Sequence, residues 1–330
     1  MTLLQVEDLS VDFPVTGSLW GAKSFVRAVR NVSFDLVSGE TLGIVGESGC
    51  GKSTLGRAVL ALVSPSSGRV LWNGMDLGEL RYRDRRLLRR EMTIVFQDPL
   101  ASLDPRMTVG ALVGEPLDIF EPDVPKQERY RRIAVILERV GLPADAIDRY
   151  PHQFSGGQCQ RIGIARALVS KPKMIVCDEA VSALDVSVQA QIIALLGDVR
   201  REMGISLLFI SHNLAVVRQI SDRIMVLYLG RVMEIADRDS LYERPRHPYT
   251  QALLSAVPIP DPDLERRRGR VRLTGELPSA LHPPTGCVFH TRCSHAQDRC
   301  RLEEPPLDSA DSRHGVACHR WKEIGAIGSV

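Results

Sequence analysis

The sequence predicts an α/β fold, and three observations carry that prediction. Short apolar runs such as Thr41-Leu42-Gly43-Ile44-Val45 and Met174-Ile175-Val176-Cys177 have the length and bulk of buried strands. Each leads through a turn into a helix-like segment, the order expected of βα units. The first of these turns, Gly46-Glu47-Ser48-Gly49-Cys50-Gly51-Lys52-Ser53-Thr54, fits the P-loop pattern G-x-x-x-x-G-K-[ST]. Glycines there let backbone N–H groups converge on phosphate oxygens, and the following helix adds its positive end. Lys52 is placed to reach the β- and γ-phosphates, and the Ser53 hydroxyl to ligate Mg²⁺.

Composition narrows the rest. The chain has 330 residues, 44% of them hydrophobic, enough for about two domains with real cores. A formal net charge of +2 implies no strong pull toward nucleic acid or an anionic membrane. The basic clusters at 81–90 and 266–270 are interrupted by acids or apolar residues and read as solvated faces or a linker. No apolar run approaches the ~20 residues of a bilayer span, and residues 1–8 lack the features of a signal peptide. The expectation is a soluble, intracellular protein whose seven cysteines are reduced.

Taken in order, residues 3–13 and 26–37 alternate as antiparallel strands, with 14–23 as a loop between them. Phe13, at the end of the first, is a candidate stacking surface for a purine ring. A strand over 70–76 ends in an Asn-Gly turn, 81–90 is a charged helix, and 93–96 is a buried strand delivering Gln97 at its carboxyl end. In open α/β sheets ligands bind at that end, so Gln97 can hold Mg²⁺ or the attacking water through its carbonyl oxygen. Residues 108–150 are mainly helical, with Ile133, Val135, Ile136, Leu137 and Val140 at helical spacing. Ser155-Gly156-Gly157-Gln158 then opens a helix from Cys159 to Val169, a second anion-binding helix start. Two such starts in one chain suggest a site completed between two copies.

The strand 174–177 ends in Asp178-Glu179. Adjacent acids there are costly unless they serve Mg²⁺ and water, with Asp178 acting through a bound water and Glu179 as general base. Ser182-Ala183-Leu184-Asp185 is a tight turn before a long helix over 186–203. Residues 205–210 form a further buried strand ending at Ser211-His212, which puts His212 in line for a γ-phosphate. Residues 224–234 read as a hairpin around Leu229-Gly230.

Cys287, Cys293, Cys300 and Cys318 cluster in a proline-rich segment with little apolar content, which suggests a metal staple. Their gaps do not match paired C-x₂-C ribbons, so the thiolates could take [4Fe–4S] or Zn²⁺, with His290, His295, His314 and His319 as substitute ligands.

In this order, Gly46–Ser53, Gln97, Ser155–Gln158, Met174–Glu179, Ser182–Asp185 and His212 resemble the nucleotide-binding subunit of an ATP-binding cassette (ABC) transporter, over roughly residues 1–245. The resemblance implies a P-loop ABC ATPase core with an antiparallel β subdomain and a helical subdomain near 98–170. It places Phe13 where the family has its adenine-stacking aromatic. Gln97-Asp98-Pro99, Ser102 to Arg106, and Arg246-His247-Pro248-Tyr249-Thr250-Gln251-Ala252-Leu253-Leu254 resemble the ATPase subunits of oligopeptide/dipeptide importers, making 246–330 that subfamily's C-terminal extension. Cys159 and Ala180 depart from its usual arginine and proline. The implied activity is ATP hydrolysis powering import of peptides or a related small solute. The nucleotide would lie between Gly46–Thr54 of one cassette and Ser155–Gln158 of another. Implied partners are two membrane permease subunits, a second homologous ATPase chain and an external solute-binding protein, but no nucleic acid. The implied location is peripheral, on the cytoplasmic face of the inner membrane. In related importers the cysteine pattern is associated with a [4Fe–4S] cluster, with Zn²⁺ as the alternative. Rival readings are a soluble ABC ATPase uncoupled from transport, and an importer of nickel chelates or glutathione-like compounds.

Overall fold

The computed structural model describes residues 2–15, 24–258, 273, 275–311 and 313–324. The chain forms two compact units. One comprises Met1–Leu4, Leu36–Thr41 and Trp72–Ser211, the other Gln5–Asp35, Leu42–Leu71 and His212–Val330. Strands β1 (Thr2–Val15), β2 (Ser24–Val37) and β3 (Thr41–Val45) precede helix α1 (Lys52–Val59). Strand β4 (Ser67–Trp72) then turns through Asn73-Gly74 into β5 (Met75–Asp76). Next come α2 (Tyr82–Leu88), β6 (Met92–Val95), α3 (Val109–Phe120), α4 (Lys126–Arg139), α5 (Gly156–Leu168), β7 (Met174–Asp178), α6 (Val186–Met203) and β8 (Ser206–Ile210). After them lie α7 (Leu214–Ile220), β9 (Arg223–Tyr228), β10 (Arg231–Asp237), α8 (Arg238–Glu243), α9 (Pro248–Ser255), β11 (Asp308–Asp311) and β12 (His314–Val316).

In the first unit, β6, β7 and β8 run parallel, with Val95 opposite Cys177 and Asp178 opposite Ile210. β7 and β8 are buried at every residue, as continuous apolar runs in a parallel sheet should be. The sequence leads one to expect the same of 93–96, but β6 is an edge strand. Thr93 and Ile94 are half-buried and Phe96 is exposed, because among the described residues no strand covers the outer side. Helix α3 packs on α4 and α5. On α4 the buried stripe is Ile133, Ile136 and Leu137, while Val135 points to solvent.

In the second unit, β1 lies between β2 and β4. A second set of strands runs in the order β11-β12-β10-β9-β3. Fully buried β3 lies parallel to β9, with Val45 opposite Val226. The β9–β10 hairpin turns at Leu229-Gly230 and pairs Tyr228 with Arg231. Pro14 and Val15 belong to β1 rather than to the expected loop, of which 16–23 lies outside the described residues. The cysteine-bearing extension is richer in core than its composition suggests. Strand β12 pairs with β10, Glu234 opposite Val316, and Val288, Phe289 and Val316 are buried. Among the described residues no helix is long and apolar enough to cross a membrane.

Candidate functional site

The phosphate loop belongs to the second unit and leaves β3 at Val45. Gly46 has φ 154°, and a Cβ on it would sit 2.2 Å from the Leu227 carbonyl oxygen. Gly51 has φ 102°, and a Cβ there would meet the Ala28 carbonyl oxygen at 2.0 Å. Only glycine satisfies both positions, so the motif's first and last glycines are fixed by the backbone that walls the loop. Gly51 is the N-cap of α1 and carries no side chain to cap it, which leaves the first-turn N–H groups facing an anion's place.

Lys52 is 4% exposed. Its Nζ donates to the carbonyl oxygens of Gly46 (2.9 Å) and Glu47 (3.0 Å), so the ammonium holds the loop as a ring. Burial raises the Cys50 thiol above its ordinary value, while adjacent Lys52 pulls it down. Cys50 therefore serves as a small packed side chain at neutral pH. Such a loop fits a triphosphate by its donors: backbone N–H groups, a buried ammonium and the Ser53 hydroxyl. Phe13 is 39% exposed, so it is not a core residue. His212 is exposed, and Asn213 beside it caps α7 by accepting from the Ala215 N–H at 3.0 Å.

The first unit carries the acids. Asp178 is buried at the end of β7, while Glu179 sits at φ 49°, a left-handed conformation costing a non-glycine residue ~1–3 kcal/mol. The turn is held there by three bonds. The Glu179 N–H donates to the Ile210 carbonyl (3.0 Å), and both the Ser182 N–H (3.1 Å) and its hydroxyl (2.9 Å) donate to the Glu179 carbonyl. Gln97 Nε2 donates to Glu179 Oε2 at 3.3 Å, bringing these two predicted residues together. Strain held at a carboxylate beyond a strand end is the pattern of a functional turn.

Ser155 caps α5 reciprocally. Its Oγ accepts the Gln158 N–H at 3.4 Å, and Gln158 Oε1 accepts the Ser155 N–H at 2.9 Å. Ser155, Gly156 and Gln158 are exposed. A Cβ on Gly157 would lie 2.5 Å from Val188 Cγ1, so its lack of a side chain lets α5 approach α6. Cys159 is fully buried, its thiol donating to the Pro151 carbonyl at 3.5 Å, and Ala180 is buried after Glu179.

Cys287, Cys293, Cys300 and Cys318 line one cavity in the second unit. Burial pushes the Cys287 thiol up to about 12 and that of Cys318 to about 11. The expected metal group meets an obstacle here. The cavity measures about 10 Å³, room for one water at most, and among the described residues no group of three or more His, Cys, Asp or Glu is disposed to hold a metal ion.

Sequence reasoning missed the loop's neighbours from the extension. Tyr249 Oη accepts the Glu47 N–H at 3.0 Å, and Arg292 grips the Glu47 carboxylate with its two terminal guanidinium nitrogens, at 2.6 and 3.1 Å. It missed the centre of the β10–β12 region too. There the fully buried Glu234 carboxylate accepts the Arg246 and His247 N–H groups and meets His314 Nε2 at 2.6 Å. A lone glutamate inside a strand pattern gives no sign of this; a buried acid becomes legible only once β10 is known to be covered on both sides.

Comparison with known proteins places these features in context. Residues 29–182 match the ABC transporter family, and residues 233–300 match the oligopeptide/dipeptide transporter C-terminal region. The chain is 52% identical over 319 residues to the oligopeptide transport ATP-binding protein OppF of Haemophilus influenzae, covering 96% of both chains. It is 49% identical over 322 residues to the putative oligopeptide transport ATP-binding protein YkfD of Bacillus subtilis, covering 98% of this chain and 96% of that one. Among solved structures it resembles the dimeric ATP-binding cassette MJ0796 in a post-hydrolysis state bound to ADP and Pi. The TM-score is 0.64 and the identity 28%, over 72% of this chain and 99% of that one.

Proposed function

We infer the working cycle from one premise: the chain belongs to the family of ABC-transporter ATP-binding subunits that serve oligopeptide transport, and it hydrolyses ATP to drive peptide import. ATP lies between Gly46–Thr54 of one cassette and Ser155–Gln158 of a second, so that binding draws two cassettes together and hydrolysis releases them. The exposed Ser155, Gly156 and Gln158 of the α5 start support this, since donors meant for a neighbour's phosphates must face outward. Phe13 stacks on the adenine, and the backbone N–H groups of the loop hold the phosphates. Lys52 and His212 stabilise the charge that grows on the γ-phosphoryl oxygens. Ser53 and Gln97 would hold Mg²⁺, with Asp178 through water, and the ion would neutralise phosphate charge.

Glu179 accepts the proton of the attacking water. Gln97, bonded to it at 3.3 Å, orients that carboxylate and begins the loop that couples the cassette to its membrane partners. Those partners are two permease subunits. The second cassette is a different, homologous chain, and an external binding protein delivers the peptide. The subunit sits peripherally on the cytoplasmic face of the inner membrane.

The observation that carries the hydrolytic reading is the strained turn that fixes Glu179 beside Gln97. Glu179→Gln should lower ATP turnover about a hundredfold or more while leaving ATP binding intact, as general-base loss does. Turnover at the wild-type rate would remove the assignment.

The four convergent cysteines take, as the finer assignment, a [4Fe–4S] cluster, with Zn²⁺ as the other group such thiolates hold. That all four line one cavity is what supports this; its volume of about 10 Å³ does not, since the thiols would have to part to admit either group. Anaerobically purified protein should contain iron and acid-labile sulfide and be brown; a colourless zinc-bearing preparation would overturn the cluster.

A further inference from the structure

Glu47 poses an electrostatic problem for a loop that must cradle a polyanion. A carboxylate in the same turn as the phosphate-binding N–H groups repels an incoming phosphate, and like charges brought together at a binding site weaken binding. The fold answers from the extension. Arg292 is almost wholly buried, its side chain 8% exposed, and it holds Glu47 in a two-point ion pair at 2.6 and 3.1 Å. This bonding raises the Arg292 guanidinium above its ordinary value, so the pair stays charged. Tyr249 is completely buried, and its hydroxyl takes the Glu47 N–H at 3.0 Å, fixing the backbone of the same residue.

Both braces stand on a rigid base. Tyr228, Tyr249 and Phe289 pack as a ring cluster, with centroids 4.8 Å apart for the tyrosine pair and 5.3 Å from each tyrosine to Phe289. The Arg292 guanidinium lies 5.8 Å above the Tyr228 ring, and the Leu227 carbonyl just before that tyrosine forms the wall that excludes a side chain at Gly46.

We propose that Arg292 and Tyr249 are positioning residues for the phosphate loop. Arg292 cancels and turns aside the Glu47 charge, and Tyr249 fixes the Glu47 backbone, so that nucleotide affinity depends on the cysteine-bearing extension. The proposal rests on the nucleotide-binding reading of Gly46–Thr54 and adds to it a dependence on residues outside that loop.

The test is equilibrium binding of MgATP and MgADP to the whole chain. Arg292→Ala should weaken both about tenfold, one decade for a partly buried charge left uncompensated beside phosphate. Glu47→Gln added to Arg292→Ala should restore affinity to within about threefold of wild type, since the repelling charge is gone. Tyr249→Phe, which keeps the ring cluster, should weaken binding in the same direction. Rescue by a second substitution separates the charge argument from general damage, because a loosened fold would stay loose. The proposal fails if Arg292→Ala binds like wild type, or if the double variant stays as weak as the single. Lys52→Ala guards the parent reading: if wild type and Lys52→Ala bind nucleotide alike, the loop assignment fails rather than the brace.

Discussion

His247 caps α9 by accepting the Tyr249 N–H at Nδ1, 3.0 Å away, so that nitrogen must remain without a proton. Burial lowers the ring's pKa to about 4 from an ordinary 6.5, against a weaker upward pull from Glu234 and a bond to the Ala317 backbone. Between those values the unfolded chain takes up the proton and the folded chain does not. The stabilisation is therefore present above pH 6.5 and is lost as pH falls toward 4, amounting to about 3 kcal/mol. Urea unfolding between about pH 7 and about pH 4.5 should show this decline, and His247→Asn, which keeps an acceptor for the cap, should flatten it. Parallel profiles for the two proteins would remove His247 from the account. Single residues were legible in the sequence where a motif dictates them: Lys52, Gln97 and Glu179 stand in turns whose glycines and strand ends announce them. Glu234 and Arg292 were not, since what defines them is burial and a distant partner.

At the scale of elements, apolar periodicity located the strands and helices as far as β8 and the β9–β10 hairpin, because apolar runs and glycine punctuation are local signals, while α7, α8, β11 and β12 went unread. Edges escaped it. Whether a four-residue strand such as β6 is covered depends on a neighbour that the strand's own residues do not specify, and Phe96 faces solvent for that reason. The opposite surprise is β12, which brings Val316 against Glu234 and His314 onto the same carboxylate. A chain ending at residue 306 would leave β10 as a bare edge and Glu234 without its histidine. Removing one partner of a buried polar pair costs about 3–5 kcal/mol, so the melting temperature should drop by about 6–20 °C. An unchanged melting temperature would mean that β11 and β12 are only decoration on the sheet.

For the whole molecule, the order of motifs identified the family without any knowledge of distance. The division into units was less accessible. Compactness follows contact rather than sequence, so residues 36–41 and 42–71 fall on opposite sides of a cut that no composition shift marks. The extension illustrates the same limit. Its cysteines drew attention as metal ligands, while its larger visible contribution is structural: a strand for β10, a core around Phe289, and a grip on the phosphate loop.

Glu47 and Arg292 are separated by 245 positions along the chain. A ribosome making this protein produces the nucleotide cradle early and its counter-charge late. Until residue 292 has been made and has docked, the loop carries that carboxylate without its counter-charge. On the proposal above, full nucleotide affinity belongs only to chains in which this long-range pair has closed, and pairs of such sequence separation close slowly.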